Sequence, residues 1–385
     1  MRSILSLAIL LAGALPASAR TIVVHEGGSI RAALARASAG DRVEVLPGTY
    51  REGEEGDLNA LTITRGGIAL VGKPREGRPV VLQSKSGQSY GIWVSPANSA
   101  GPGNQDDPEH PACGGPHPAT ATLKGFSIRG FTVRGFAEHG VHLACVDGFS
   151  INDNHADQNA VYGLFPIRSR NGVMAGNLVT NTQTDAAIYV GQSENVLITG
   201  NVVHDNLLGI EVENSGQCAV IGNHAYGNTM GIFVDILPFL QRGTQEDTLV
   251  AFNSVRDNNR PNTAAPDELL GILPKGIGIL VAGGKKTTVL MNDVRNNGFA
   301  GIAVSSLCLG LALQGIGCSG LGIDPDPVND HILANRLIGN GTVPLENPFF
   351  DTLRADLIWD GSGKGNCWSG NSFTTSTPPE LPACH

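Results

Sequence analysis

Positive charge is scarce in this sequence, and so are long apolar stretches. Only 26 residues are Lys or Arg, against 35 that are Asp or Glu, and the net charge is −9. A protein that binds nucleic acid through its general surface needs a broad basic face, so the composition argues against nucleic-acid binding. After the first residues, no run is long and apolar enough to cross a bilayer, which argues against membrane insertion. Patterns typical of a Ser-His-Asp triad, a phosphate loop or a thiolate zinc site are also missing.

The one long apolar run lies at the amino terminus. Arg2 precedes an apolar stretch from Ile4 to Leu15, and small residues follow at 17–19, as is typical of a signal peptide. We therefore expect residues 1–19 to be removed and the mature protein to be exported, to a periplasmic or extracellular location. Such compartments are oxidising, so cysteines there form disulfides.

The cysteine count is odd. Seven cysteines leave one unpaired if disulfides form. Nearness in the chain, and the need to tie the first long loop to the repeat, favour three pairs: Cys113–Cys145, Cys308–Cys318 and Cys367–Cys384. Cys218 falls on an inward position of the repeat described next, which predicts a buried free thiol.

A short phrase recurs through the middle of the chain. Residues 187–190 read Ala-Ile-Tyr-Val, and the same pattern of Gly or Ala, apolar, variable, apolar returns 22 residues later at 209–212 and again at 231–234. Further copies stand at 140–143, 163–166, 278–281 and 301–304. A repeat of about 22–24 residues built from short β-branched runs predicts an all-β solenoid with three short strands in each coil.

An asparagine recurs once in each coil. The series is Asn154, Asn177, Asn201, Asn223, Asn253, Asn292 and Asn335. Because Asn tolerates left-handed backbone geometry, we expect these residues to form turns and to hydrogen-bond to the coils above and below.

The two ends of the chain differ from the repeat. At 20–50, a short strand and an amphipathic helix that Ser29 can cap are expected to close the first coil. Residues 356–385 are expected to close the last coil. We therefore predict one domain over 20–385, with caps at 20–50 and 356–385.

The chain resembles the secreted right-handed parallel β-helix repeat proteins. The resemblance rests on residues 162–166, 185–193, 209–215 and 231–238, and it extends over most of 20–385. This wide group includes pectate lyases, polygalacturonases, alginate epimerases and periplasmic NosD-type proteins. The resemblance implies a single-stranded right-handed parallel β-helix. Within the group, the chain is most similar to a bacterial subfamily of β-helix repeat proteins, and this likeness leaves the activity open.

Equal positions in successive coils of a parallel solenoid form columns, about 4.8 Å apart. The first outward column reads Trp93, His142, Phe165, Tyr189, Glu211, Phe233, Leu280 and Ala303. Aromatic residues are only 5% of the chain, so their concentration in one column predicts a sugar-stacking surface that includes His142, Phe165, Tyr189 and Phe233. The alternative is that long loops cover these side chains and bury them as a satellite core. Three long insertions follow the same end of this strand, at 95–121, 235–247 and 305–330. They could either wall a sugar-binding groove or cover the aromatic column, so they are compatible with both alternatives.

Three acids fall together in these columns. Glu213 and Asp235 are neighbours in the second outward column, and Glu211 lies in the first. Adjacent carboxylates require a shared proton, a cation or a nearby base, so Glu213 and Asp235 are candidate Ca²⁺ ligands. The alternative is a set of solvated polar residues on an exposed face.

The next column contains Arg168, Gln192 and Asn214. Arg168 is a candidate catalytic residue beside Glu211, Glu213 and Asp235, while Gln192 and Asn214 are candidate sugar ligands. Such a set suits lyase or epimerase chemistry on an acidic sugar, or hydrolysis by two carboxyl groups. The leading hypothesis is an exported protein that binds or acts on a poly- or oligosaccharide, and the alternative is a non-catalytic periplasmic binding or accessory protein of NosD type.

Overall fold

The computed structural model describes residues 19–85, 87–96, 113, 122–266 and 270–385. The predicted signal peptide therefore lies outside the described residues except for its last residue, and so does most of the first long insertion. Among the described residues, no helix has the length and apolar character needed to cross a membrane.

Three parallel sheets make up the described chain, and each coil contributes one strand to each sheet. The first sheet comprises Thr21–Val24, Arg42–Val45, Ile68–Gly72, Leu123–Arg129, Val146–Asn152, Arg170–Ala175, Glu194–Thr199, Ala219–Ile221, Leu249–Ala251, Thr288–Leu290, His331–Leu333 and Cys367–Ser369. The second comprises Gly48–Tyr50, Val80–Gln83, Phe131–Arg134, His155–Asp157, Leu178–Thr180, Val202–His204, His224–Tyr226, Ser254–Arg256, Asp293–Arg295 and Arg336–Ile338. The third comprises Asn59–Ile63, Tyr90–Val94, His139–Ala144, Tyr162–Ile167, Ala186–Gly191, Leu208–Glu213, Met230–Asp235, Ile277–Ala282, Ala300–Ser305, Ala355–Trp359 and Ser376–Thr377. This winding of short parallel strands confirms the predicted solenoid.

The repeated phrase forms the third sheet, and its register is the one that the sequence predicts. Ile188 pairs with Ile210, and Ile210 pairs with Ile232. These inward side chains are fully buried in one continuous core, together with inward residues of the other two sheets such as Val203 and Val220. β-Branched residues fit this interior because their stiff side chains pack well on a pleated surface.

The recurring asparagines form a hydrogen-bonded ladder inside the coil. The Asn223 side chain accepts from the backbone N–H of Asn201 at 2.9 Å and donates to Asn253 Oδ1 at 3.0 Å. The predicted contacts to neighbouring coils are confirmed, but the left-handed geometry is wrong. It is the preceding residue that has positive φ, as at Gly200 (61°) and Gly222 (67°), because there the chain turns before the Asn side chain points inward.

A second ladder of the same kind stands five residues further along each coil. Its members are Asn159, Thr182, Asn206, Asn228, Asn258, Asn297 and Asn340. This second ladder was not predicted from the sequence, although Asn residues five positions apart recur along the chain. From the strand Phe131–Arg134 onward, the two ladders satisfy buried backbone N–H groups at the two ends of the second-sheet strands.

Within the described ranges, short helices accompany the coil at Ile30–Arg36, Leu307–Leu313 and Pro348–Leu353, with a 3₁₀ turn at Leu270–Ile272. Ser29 caps the first helix, as predicted, by accepting from the N–H of Ala32. Near the carboxyl end, the strands at 355–359, 367–369 and 376–377 continue the third and first sheets.

All three predicted disulfides are present, and their Cys residues are those paired by the sequence analysis. Cys218 is a buried free thiol, as predicted. Burial raises its pKa to about 11, so the thiol is uncharged and behaves as a core residue.

The outer face of the third sheet is covered rather than exposed. A second hydrophobic cluster lies on it, separate from the core inside the coil. It contains outward residues of the repeat, such as Phe165, Tyr189 and Phe233, together with non-repeating residues such as Phe299 and Phe350. This outer cluster surrounds the candidate site.

Candidate functional site

The outward columns of the third sheet are aligned as the sequence predicts. His142 pairs laterally with Trp93 and Phe165, and Glu211 pairs with Tyr189 and Phe233. In the second column, Glu213 pairs with Asp235. The register therefore places residues from six successive coils side by side on the outer face of the sheet.

Carboxyl groups gather at the centre of this face. Oxygen atoms of Glu211, Glu213 and Asp235 all lie within 4.8 Å of one another. The three residues are buried, with exposed fractions of 4%, 5% and 1%. Asp185, just before the strand that contains Tyr189, interacts with both Glu211 and Asp235. We call Asp185, Glu211, Glu213 and Asp235 the acid cluster.

Burial and mutual repulsion keep protons on this cluster. Removal from water raises the pKa of Glu211 well above its usual value, and the charges of Asp185, Asp235 and Glu213 raise it further. Burial likewise raises the pKa of Asp235, with contributions from Glu213 and Asp185. At neutral pH the cluster therefore holds protons that carboxyl groups in water would have released, and it titrates as a coupled set.

Two tyrosines bind the cluster from the side of the preceding coils. Tyr189 donates its hydroxyl hydrogen to Glu213 Oε1 at 2.5 Å, and Tyr162 donates to Asp185 Oδ2 at 2.9 Å. Burial and the neighbouring charge of Glu213 raise the pKa of Tyr189 well above its usual value. Tyr189 is therefore a hydrogen-bond donor that orients Glu213, and at neutral pH it is a poor proton acceptor.

Asp185 and Tyr162 are missing from the residues that the sequence analysis selected. Both lie outside the three columns that were compared: Asp185 precedes the strand Ala186–Gly191, and Tyr162 is the first residue of the strand Tyr162–Ile167. The spacing of 23 residues between them, about one coil, is the signal that would have paired them.

Burial overturns the expectation of an open aromatic surface. The exposed fractions of His142, Phe165, Tyr189 and Phe233 are 0%, 0%, 3% and 5%. They pack instead in the outer cluster and its aromatic continuation, where the His142 ring stacks on Trp93 with centroids 4.0 Å apart. The alternative of a satellite core is the one that the structure supports, because outward positions of a sheet become interior when other segments cover them.

Histidine in this layer is uncharged. His139 and His142 approach each other with their Nδ1 atoms 3.0 Å apart, and burial lowers the pKa of His142 to about 3. Burial also lowers the pKa of His139, and the charge of His142 would lower it further. One ring donates and the other accepts, so the pair is a neutral link between the aromatic rings.

The third column holds loops in place. Asn214 Nδ2 donates to the carbonyl of Leu237 at 2.9 Å, Asn214 Oδ1 accepts from the N–H of Leu237, and Gln192 Oε1 accepts from the N–H of Arg242. Arg168 precedes these two residues in the column; it is buried, and desolvation lowers the pKa of its guanidinium. Gln192 and Asn214 therefore position the segment after Asp235.

The acid cluster has the donor set for a hard cation. Two oxygen ligands of one Ca²⁺, each at about 2.3–2.6 Å, are separated by at most about 5 Å, and the 4.8 Å limit for Glu211, Glu213 and Asp235 meets this condition. Glu211 Oε2 and Asp235 Oδ1 are buried and accept no hydrogen bond among the described residues. These two oxygens, with Glu213, are the groups that would hold the ion.

The family described as "Right handed beta helix region" matches residues 139–313. The fold of this chain is a right-handed parallel β-helix. Solved β-helix structures align over nearly its whole length. The mannuronan C-5 epimerase AlgE4 A-module of Azotobacter vinelandii superposes with a TM-score of 0.59 at 15% identity and covers 88% of each chain. The AlgE6 A-module of the same organism gives 0.57 at 17% identity over 90% of each chain.

A third β-helix structure, a DFA-IIIase mutant from Arthrobacter chlorophenolicus A6, has a TM-score of 0.51 at 12% identity and covers 90% of this chain and 89% of its own. No curated protein matches the sequence. At these identities the structural likeness concerns the fold, and the chemistry of this β-helix has to be argued from its own side chains.

Proposed function

We propose that this β-helix protein acts on a poly- or oligosaccharide, with the acid cluster as its reactive centre. The observation that carries the proposal is the burial of Glu211, Glu213 and Asp235 within 4.8 Å of one another on one face of the coil. Burying several carboxyl groups together costs stability, and such groups persist where they serve proton transfer or ligand binding. The β-helix neighbours include a mannuronan C-5 epimerase and a DFA-IIIase, which supports a carbohydrate as the partner.

Within this proposal, the protonation of the cluster favours acid–base hydrolysis. The raised pKa of Glu211 keeps a proton available for a departing glycosidic oxygen. Glu213, oriented by the hydroxyl of Tyr189, is placed to act as the nucleophile or base. Retaining glycosidases hold their two carboxyl groups about 5–5.5 Å apart and inverting ones about 6.5–9.5 Å apart. The anomeric configuration of the first product therefore reports which of the two routes the cluster uses.

A uronic-acid substrate would need a different charge balance. Lyase and epimerase chemistry requires a positive group against the sugar carboxylate and a base for the C5 proton. The acid cluster repels a second carboxylate unless a cation neutralises it, and Ca²⁺ held by Glu211, Glu213 and Asp235 would supply that charge. Dependence of activity on Ca²⁺ therefore distinguishes the two reaction classes.

The covered state of the site favours a second candidate, a non-catalytic binding or accessory protein. Tyr189, Phe165 and His142 offer no open ring face in this structure. A sugar reaches the acid cluster only if the covering segments move, and the loop that Asn214 and Gln192 hold is one of them. A binding protein whose buried acids serve only stability would show no turnover of any sugar.

Turnover assays separate these candidates. The purified protein is incubated with neutral and uronic-acid polysaccharides, with and without Ca²⁺, and both new reducing ends and the ultraviolet absorbance of unsaturated products are followed. The triple change Glu211→Gln, Glu213→Gln and Asp235→Asn is expected to abolish turnover. Asp330→Asn is the matched control, because Asp330 is a buried acid elsewhere in the coil. Turnover that survives the triple change overturns the proposed centre, and absence of turnover on every substrate favours the accessory role.

We also propose that the protein is exported. The three disulfides of the described chain support this, because such bonds persist in oxidising compartments and are rare in the cytosol. Mass spectrometry of the protein recovered from the periplasm and the medium of the producing cells tests both export and cleavage after residue 19.

A further inference from the structure

An apolar cavity of about 490 Å³ opens on the outer face of the third sheet, next to the acid cluster. Its floor is the continuation of the first outward column beyond Glu211, formed by Phe233, Leu280, Ala303 and Ile358. Its walls are the helices Leu307–Leu313 and Pro348–Leu353. The volume falls in the range of small-molecule sites, about 300–1,000 Å³.

The cavity exists because the side chains of the first outward column become smaller towards the carboxyl end. Towards the amino end the same column is filled by large rings, including Trp93 and Phe165, whose neighbours contact them closely. Beyond Phe233, the side chains shorten to Leu280 and then to Ala303, and the second column likewise has Ala282 where the acid cluster ends. The two wall helices remain at a distance that these small side chains do not fill.

The charge and polarity of the lining residues indicate which ligands the cavity can bind. None of the described lining residues is Lys, Arg or His, so the wall offers no cationic side chain to neutralise an anionic group. Two large apolar side chains at the cavity, Leu313 and Phe349, are 36% and 42% exposed, which leaves apolar surface in water near its opening. Polar side chains in the lining are few, namely Ser305, Ser306, Asp360 and Thr377, and Asp360 Oδ2 already accepts from the N–H of Ser306.

The cavity adjoins the reactive centre directly. Phe233 lines it and is the lateral neighbour of Glu211, and Ala282 lines it and is the lateral neighbour of Asp235. Adjacent strands are about 4.8 Å apart, so the apolar space begins one strand from the carboxyl groups. We propose that the cavity binds the alkyl or acyl chain of an uncharged amphiphile. The inference that this chain belongs to the sugar substrate, which would then be a glycolipid or an alkyl glycoside, rests on the proposed function.

Binding of a defined probe tests the cavity without reference to turnover. Dodecyl maltoside below its critical micelle concentration is titrated into the full chain, with maltose and dodecanoate as comparison ligands, by calorimetry and tryptophan fluorescence. Trp359 lines the cavity and is partly buried, so it reports occupation directly. We expect saturable binding of dodecyl maltoside, no binding of maltose, and weaker binding of dodecanoate, whose charge finds no partner. Equal binding of dodecanoate, or no saturable binding of the maltoside, overturns the proposal.

Variants locate the binding. Ala303→Phe fills the floor and is expected to weaken binding of dodecyl maltoside by about tenfold or more while the melting temperature is kept or raised. Ala312→Phe is the matched control, since Ala312 is exposed on a wall helix and does not line the cavity. Should Ala303→Phe fold poorly, Phe349→Ala, at an exposed position, is expected to weaken binding severalfold. Unchanged affinity in both lining variants places the probe elsewhere and overturns the proposal.

The two proposals fail independently. Binding of dodecyl maltoside that Ala303→Phe removes and Glu211→Gln leaves intact supports the cavity site even if no sugar is turned over. Turnover of a polysaccharide by a protein that binds none of the dodecyl probe supports the proposed function and removes the inference about the apolar chain.

Discussion

Replacing one asparagine of the first ladder, Asn223→Ala, should destabilise the protein strongly. Asn223 is fully buried. Its Oδ1 accepts from the backbone N–H and from the side-chain Nδ2 of Asn201, both at 2.9 Å. Its Nδ2 donates to the carbonyl of Ile198 and to Asn253 Oδ1, both at 3.0 Å. The substitution removes all four bonds.

The expected loss follows from the donors that are left behind. The Asn201 backbone N–H has no alternative acceptor, while Asn201 Nδ2 keeps one bond, to the carbonyl of Met174. An unsatisfied buried polar group costs about 1–3 kcal/mol, so two deprived donors lower the free energy of unfolding by about 2–6 kcal/mol. That loss is a large part of the total stability of a typical domain, about 5–15 kcal/mol.

Urea unfolding followed by circular dichroism measures this loss, and hydrogen exchange at the Asn201 amide measures its local part. His224→Ala is the matched control, because His224 is the next residue along the chain and is exposed, and it should change the stability by no more than about 0.5 kcal/mol. A loss below about 1 kcal/mol for Asn223→Ala, or one equal to that of the control, would show that the ladder adds little and would refute the reasoning.

Three further predictions concern buried acids and tight glycines. Burial raises the pKa of Asp330 to about 7 from 3.8. Between these pH values the folded state binds more protons than the unfolded state, so the free energy of unfolding falls as the pH rises. Asp330→Asn should remove up to about 4 kcal/mol of that fall in unfolding titrations from pH 4 to pH 8. The pKa of Glu211 is raised in the same direction, so Glu211→Gln should raise the melting temperature more at pH 8 than at pH 5, and an equal change at both values would contradict a shared-proton cluster. A Cβ at Gly231 would lie 2.4 Å from Val255 Cγ1 and 2.6 Å from a backbone carbonyl oxygen, so Gly231→Ala should lower the free energy of unfolding in urea by about 1–3 kcal/mol. Gly222 has a φ of 67° and no atom within reach of an added Cβ, so Gly222→Asn should cost less. The reverse order would show that close packing does not explain why glycine is needed.

The winding of the chain was accessible from the sequence because it depends on local spacing. A residue such as Glu211 faces outward because it stands between two inward aliphatic residues, Ile210 and Val212, and it stacks on Tyr189 and Phe233 because each coil repeats that pattern. Both facts follow from the strand period and the coil length. The cysteine pairs were accessible for a similar reason, since two of them are separated by only 10 and 17 residues.

The state of the candidate site was not accessible in the same way. That Glu211, Glu213 and Asp235 meet follows from the register, but their burial depends on segments outside the repeat, and no periodicity reports where those segments lie. Asp185 joins the cluster from a position before its strand, so a comparison of outward columns passes over it. Asn214 likewise anchors the loop after Asp235, a role that its position in the column did not indicate.

By itself, the sequence determined a β-helix with one series of asparagines bonded from coil to coil and a row of aromatic and acidic residues on one outer face. It could do so because a periodic chain repeats the same local preferences and hydrogen bonds in every coil. Tertiary structure alone decided that this face is covered, that its acids retain protons, and that an apolar cavity remains beside them. Those properties arise from non-repeating helices and loops packing on the sheet, and solvent exclusion, which sets the pKa values and the empty volume, exists only after that packing.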